Sequence, residues 1–342
     1  MNIGASGTAA SMGSAYGAGA VRSPLVAVAL VAGSSLAGAI VGGLPVMSTI
    51  TSGIVPTDVV SIEVATIVLA SACITLLFAN IAGIPLSTSE VTVGSLIGVG
   101  IALHAIHVRH LVTIVAAWFV LPVVAFLISY LAGRASPAVE RRLERSRCPS
   151  RAYRLMSIIL VVGGVYEAFS AGMNHVANAV GPIVAAGAIG SRMGIWIGAT
   201  FIALGAITLG RRVLETNGKK ITRLSPVNGC VISFTSGTLV VIASLLGLPV
   251  PLTQATTLSI FGIGVARREA RLWNTELIVR TVAVWVLSPI GSLAISYALV
   301  RLLVQNSWHA VAALVALSGA SLAFIGIRRA GSSRARGQRN VT

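Results

Sequence analysis

Charged residues are scarce in this chain: Asp, Glu, Lys and Arg make up 10% of its 342 residues. Soluble domains carry roughly a quarter, so the composition excludes an ordinary water-surrounded fold. Acids are the scarcest, nine Asp and Glu beside 25 Lys and Arg, with five His. None of them sits in an HExxH pattern or a nucleophile elbow, and the chain is not read as an enzyme. The three cysteines, Cys73, Cys148 and Cys230, show no CxxC spacing. That leaves no thiolate metal site and no disulfide framework; they read as two apolar fillers and one loop thiol. Aromatics are 5% of the chain and do not interleave with basic residues, so the formal charge of +16 does not imply a nucleic-acid partner. The stretch "HAIHVRH", 104–110, puts His104 and His107 on one helical face with no acid or thiol beside them. It reads as a membrane-interface cluster rather than a metal site, as does His309 at the start of the last apolar run.

Apolar residues are what the chain has instead, 55% of the total, with a mean hydropathy of +0.91. Runs near 24–46, 60–82, 111–132, 155–171, 194–213, 230–247, 276–300 and 308–327 are long enough to cross a bilayer, which takes about 20 residues per helix. Shorter pieces near 7–21, 91–106, 176–190 and 255–266 fit half-helices or re-entrant segments. The expected fold class is an all-α polytopic membrane protein with roughly eight full spans and four half-helices. The densest connector, "GRASPAVERRLERSRCPSRAYR" at 133–154, holds seven arginines against two glutamates, and the tail "IRRAGSSRARGQRN" is also basic. The excess of positive charge assigns both to the cytoplasm.

The chain also repeats itself. With a shift of 168, "GASGTAASMGSAYGAGAV" (4–21) aligns with "GMNHVANAVGPIVAAGAI" (172–189), matching Gly4, Ala9, Gly13 and the triplet 18–20. With a shift of 164, "GIPLSTSEVTVGSLIGVGIA" (83–102) aligns without a gap with "GLPVPLTQATTLSIFGIGVA" (247–266). Paired Gly/Pro-interrupted apolar segments in two halves point to a secondary transporter with inverted-topology repeats and broken helices. Expected boundaries are 1–132 for the first repeat, 133–154 for the linker, 155–306 for the second repeat and 307–342 for a terminal span and tail.

At these segments the chain resembles the inorganic phosphate transporter (phosphate permease) family, which carries a "GANDVANAxGP"-like and a "GxPxSTTHxxVG"-like motif in each half. Here "GMNHVANAVGP" (172–182) and "GIPLSTSEVTVG" (83–94) match closely, and "GKKITRLSP" (218–226) resembles the family's connector. The resemblance implies a multi-pass cell-membrane protein that moves inorganic phosphate together with a sodium ion or a proton, without a resident cofactor or metal. It also admits a homodimer. The phosphate-binding residues it points to are Ser87, Thr88, Ser89, Asn174, Asn178, Thr253 and Gln254.

Physical chemistry supports those positions. Hydroxyls after Gly-x-Pro, where a helix begins, add donors to free backbone amides and the positive end of the helix dipole; plain helix capping is the alternative reading. Asn174 and Asn178 lie four apart on one face and offer amide donors, the alternative being hydrogen bonds between helices. Departures from the family pattern concern the coupling ion. Ser6, Gly7 and Ala10 stand where the first motif has Asn, Asp and Asn, His175 replaces the second Asp, and Pro251 and Leu252 replace a Ser-Thr pair. Without those carboxylates, Glu90, Glu167, His175 and Ser6 are the coupling candidates, and His175 makes a proton an alternative to sodium. The family also carries a span ahead of the first motif that this sequence does not show. Transport of another tetrahedral oxyanion such as sulfate, or a degenerate non-transporting paralogue, are the competing readings.

Overall fold

In the computed structural model the structure describes residues 1–81, 86–218, 225–268 and 275–308. Gly83 and Pro85 of the first Gly-x-Pro, most of the 218–226 connector, His309, the run 308–327 and the basic tail lie outside the described residues. The chain is all-α. Its helices are α1 (Asn2–Gly17), α2 (Pro24–Gly42), the short α3 (Leu44–Ser48), α4 (Ile62–Ile81), α5 (Thr88–Ala102), α6 (Val108–Glu144) and α7 (Pro149–Ala185). They are followed by α8 (Ser191–Gly218), α9 (Pro226–Leu245), α10 (Leu252–Ala266) and α11 (Thr275–Leu303). Among the described residues, seven of them are long and apolar enough to cross a membrane, while α5 and α10 are shorter apolar helices.

Local chemistry sets the ends. Ser23 and Ser225 cap α2 and α9, accepting from the amides of Val26 and Asn228, with Pro24 and Pro226 as first helical residues. The "AGA" triplets close α1 and α7 with the same turn. Gly19 and Gly187 take φ of 74° and 70°, and the amides of Ala20 and Ala188 reach back to Ala15 and Ile183. A left-handed residue there needs glycine, so the repeat in sequence is a repeat in backbone.

Two expectations change. The run 155–171 and the piece 176–190 are not a span and a separate half-helix: both fall within α7, which runs unbroken for 37 residues. Asn174 and Asn178 direct their amides to other helices rather than competing for α7's own backbone, and Pro182 stands only three residues before the helix ends. The linker 133–154 is itself helical at both ends, leaving 145–148 between α6 and α7. At 37 residues, α6 extends about 55 Å, well beyond a hydrocarbon core of about 30 Å.

The surface is apolar, and the largely apolar interior also holds many polar side chains. Phe78, Phe119, Leu131 and Leu246 point outward, each more than two-thirds exposed, while Thr8, Ser35, Ser89, Asn174 and Glu167 are buried. That distribution suits a lipid surround. The halves interlock by exchange: α5 packs mainly on α11 and α10 on α6, while α1 packs on α8 and α2 on α7. Glycines allow the close crossings. A Cβ at Gly4 would run into the Ile202 carbonyl, and one at its repeat counterpart Gly172 would run into that of Ser35.

Gly172→Ala is therefore expected to destabilise the detergent-purified protein by about 1–3 kcal/mol. Gly33→Ala in α2, where a new Cβ meets nothing, is expected to be neutral or to stabilise by about 0.5–1 kcal/mol. Thermal unfolding of the two variants side by side checks this; equal shifts would refute the close-crossing account.

Candidate functional site

Two helix N-termini, one from each repeat, meet at the centre of the molecule. Ser87 caps α5, its Oγ accepting from the Glu90 amide at 3.3 Å, so Thr88 and Ser89 are the first helical residues. The cap of α10 is Pro251, which has no side-chain acceptor to offer. A small cavity lies against both starts, lined by Thr88 with Leu86 and by Leu252 and Thr253. Ser6, Gly7 and Ala10 of α1 and His175 of α7 complete the wall. All four motif segments thus reach one cavity, and no carboxylate lines it. Its volume is about 10 Å³, room for roughly one water. The Thr88 hydroxyl is buried and has no hydrogen-bond partner.

Beside the cavity a polar web fixes both helix starts. Asn174 Nδ2 donates to Ser244 Oγ at 2.9 Å and to the Leu248 carbonyl at 3.0 Å. Its Oδ1 accepts from the Val250 amide at 3.1 Å and from Ser89 Oγ at 3.2 Å. Asn178 Nδ2 donates to the same Ser89 Oγ at 2.9 Å, and its Oδ1 is buried without a partner. Asn174 spends its hydrogen-bonding capacity on holding the segment before α10 and the start of α5. A second cavity, about 210 Å³, is lined by Ile3, Leu69, Cys73, Leu76, Thr92 and Asn178 among others, so Asn178 stands between it and the web.

Glu90, Gln254 and Glu167 are not among the residues lining the small cavity. Gln254 Nε2 donates to Glu90 Oε1, and Ser288 Oγ to Glu90 Oε2 at 3.4 Å. Glu90 and Gln254 are 164 positions apart, the shift of the second repeat. Glu167 is fully buried in α7, its Oε1 accepting from Ser236 Oγ at 2.6 Å and Thr256 Oγ1 at 2.8 Å. Ser6 Oγ donates to the Ile3 carbonyl at 3.0 Å. Among the histidines at 104–110, His107 Nδ1 lies 3.2 Å from the Ser52 carbonyl, and its ring is 6.1 Å from that of His110.

Ser236, Ser244, Thr256 and Ser288 were not singled out by sequence. Only Thr256 carried a signal, as the repeat counterpart of Thr92. The others are serines in apolar helices, indistinguishable from packing residues until their partners are known.

A geometry of paired helix starts in an apolar bundle has known relatives. The phosphate transporter family (PHO4) matches residues 3–296. The sulfate permease CysP of Bacillus subtilis is 44% identical over 317 residues, covering 93% of this chain and 88% of its own length. Among solved structures, a sodium-dependent phosphate transporter superposes with a TM-score of 0.78 at 26% identity, covering 88% of this chain and 95% of its own. Helical architecture, paired motifs and family match agree: the chain is a multi-pass membrane transporter and belongs to the phosphate transporter family.

Proposed function

We propose that the chain is a cation-coupled importer of a tetrahedral oxyanion, bound between the starts of α5 and α10, and that sulfate is its substrate. The supporting observation is the lining of the small cavity. No carboxylate lines it: its polar groups are the neutral Thr88, Thr253 and Ser6 hydroxyls and the His175 ring beside the starts of two helices, and these accept a hydrogen bond more weakly than a carboxylate does. Sulfate is fully deprotonated at neutral pH and asks only for donors. Monohydrogen phosphate carries an O–H that is best met by a strong acceptor such as a carboxylate, and a buried donor that is poorly paired costs up to about 1–3 kcal/mol. The family's carboxylates would supply that acceptor, but Gly7 and His175 stand in their places. A relative from B. subtilis, 44% identical to this chain, is named a sulfate permease.

In this reading Thr88 and Thr253 contact the anion, Ser89 and Asn178 line its approach, and Asn174 positions both helix starts. Gln254 with Glu90 locks the two halves together. Cation coupling follows from charge. Bringing an anion into a cell against an interior-negative potential costs about 2.3 kcal/mol per charge per 100 mV, which co-transported cations offset. Phosphate itself, the substrate implied by the family match, is the second reading.

Labelled-sulfate uptake into proteoliposomes holding the full chain decides between them. Unlabelled sulfate is expected to compete about tenfold or more better than phosphate at neutral pH, the discrimination available from one unpaired buried donor. Equal or stronger competition by phosphate refutes the sulfate reading.

Gly7→Asp gives a sharper test. No atom lies within 4 Å of a Cβ added at Gly7, so a side chain can start there, and an Asp brings a carboxylate to the cavity wall that Gly7 lines. Sulfate uptake is expected to fall about tenfold or more through like-charge repulsion, with the ratio of phosphate to sulfate transport rising. An unchanged ratio would show that this wall does not face the anion.

A further inference from the structure

Glu167 is outside the oxyanion cavity, yet it is the most completely enclosed acid of the described residues, with no exposed surface. Its surroundings are asymmetric. Oε1 accepts two short hydrogen bonds, from Ser236 Oγ of α9 at 2.6 Å and Thr256 Oγ1 of α10 at 2.8 Å, whereas Oε2 is buried with no partner. No cation compensates it. The ion pairs of the described residues are Arg211–Glu215 and Arg267–Glu140, neither involving Glu167. What α9 and α10 turn toward it are hydroxyls. On its own helix, Tyr166 hydrogen-bonds to Thr238 and His175 lies two turns on, against the oxyanion cavity. Of the other helices packed on α7, α1 and α2 hold no acid, histidine or lysine, the only acid of α8 is Glu215, paired with Arg211, and Glu90 of α5 is held by Gln254 and Ser288. An unpaired carboxylate charge in such a place costs several kcal/mol.

Both hydroxyls have a second acceptor within reach on their own helices. Ser236 Oγ lies 2.8 Å from the Ile232 carbonyl and Thr256 Oγ1 lies 3.0 Å from that of Leu252. A hydroxyl has one proton to donate, so each chooses between the Glu167 carboxylate and its own backbone. The choice at Thr256 bears on the site, because Leu252 is the first residue of α10 and lines the oxyanion cavity.

We propose that Glu167 is the proton-binding site of the transport cycle and that Thr256 passes its state to α10. Charged Glu167 draws Thr256 and Ser236 toward α7. A proton taken from the outside medium onto Oε2 weakens that pull, lets both hydroxyls return to the Ile232 and Leu252 carbonyls, and frees the start of α10 to move with its anion. The proton leaves to the interior when the cycle resets. A two-position hydrogen-bond element biased by one proton and linked to the anion site is what coupling requires. The proposal rests on the transport reading above.

The test uses the full chain in proteoliposomes with labelled sulfate and fixed, equal sodium on both sides. Wild type is expected to accumulate sulfate under an inward proton gradient and to exchange it at equal pH. Glu167→Gln is expected to lose gradient-driven accumulation about tenfold or more, within the range of known coupling energies, while exchange continues. Sulfate-evoked alkalinisation of the medium, followed with a pH dye, disappears with it. If Glu167→Gln loses exchange as well, Thr256→Val decides: reduced proton-driven accumulation with exchange intact supports the proposal, and unchanged accumulation overturns it. Proton-driven accumulation by Glu167→Gln at the wild-type level also overturns it, as does wild-type accumulation driven by sodium alone at equal pH. A wild-type chain that exchanges neither sulfate nor phosphate overturns the transport reading itself, and this proposal with it.

Discussion

Within a lipid surround no water is at hand to satisfy a polar group, and every donor and acceptor inside the bundle must find its partner in the protein. Asn174 shows the consequence most fully. Its amide bonds Ser244, Leu248, Val250 and Ser89, tying α7 to the end of α9, the entry to α10 and the start of α5. These are the segments whose backbone departs from continuous helix and whose amides are therefore free for a ligand. An irregular backbone is tolerated at membrane depth only where protein encloses it, and Asn174 is the residue that does the enclosing. The paired half-helices, the cavity between them and its donors all depend on this one side chain having four partners.

Close packing supplies the frame in which those bonds keep their geometry. Gly4 and Gly172 let α1 meet α8 and α7 meet α2 at backbone contact, and Gly38 lets α2 meet the Phe169 carbonyl in the same way. Apolar driving force between helices is weak where lipid is as apolar as side chains, so contact of this kind carries much of the association. Because each glycine contact joins one half of the chain to the other, neither half is complete alone. The cavity inherits that property, with Thr88 from one half and Thr253 from the other.

Electrostatics then divides the labour among the few polar residues. Helix starts without intrahelical partners favour an anion, and they are placed where no carboxylate intrudes. The two acids deep in the bundle stand back from the anion. Glu90 spans the halves through Gln254 and Ser288, and Glu167 is held by hydroxyls of α9 and α10. Negative side chains thus stay off the cavity wall while remaining within hydrogen-bond reach of α10.

Helix content and most span positions were legible in the chain by itself. They depend on local quantities: the length of apolar runs, proline and serine at helix starts, glycine at left-handed turns, and the recurrence of both motifs. Ser87–Ser89 were marked as helix-start residues by the Gly-x-Pro before them, and that is where they lie. Tertiary structure decided which polar residues face one another. Two partly apolar pieces within 155–190 became one helix because Asn174 and Asn178 found acceptors and donors on distant segments. Gln254 met Glu90, and Ser236 and Thr256 met Glu167, across separations of 69 to 164 residues. A serine in an apolar helix has the same local signature whether it packs, caps or holds a carboxylate; only the neighbour brought to it by the fold distinguishes these roles.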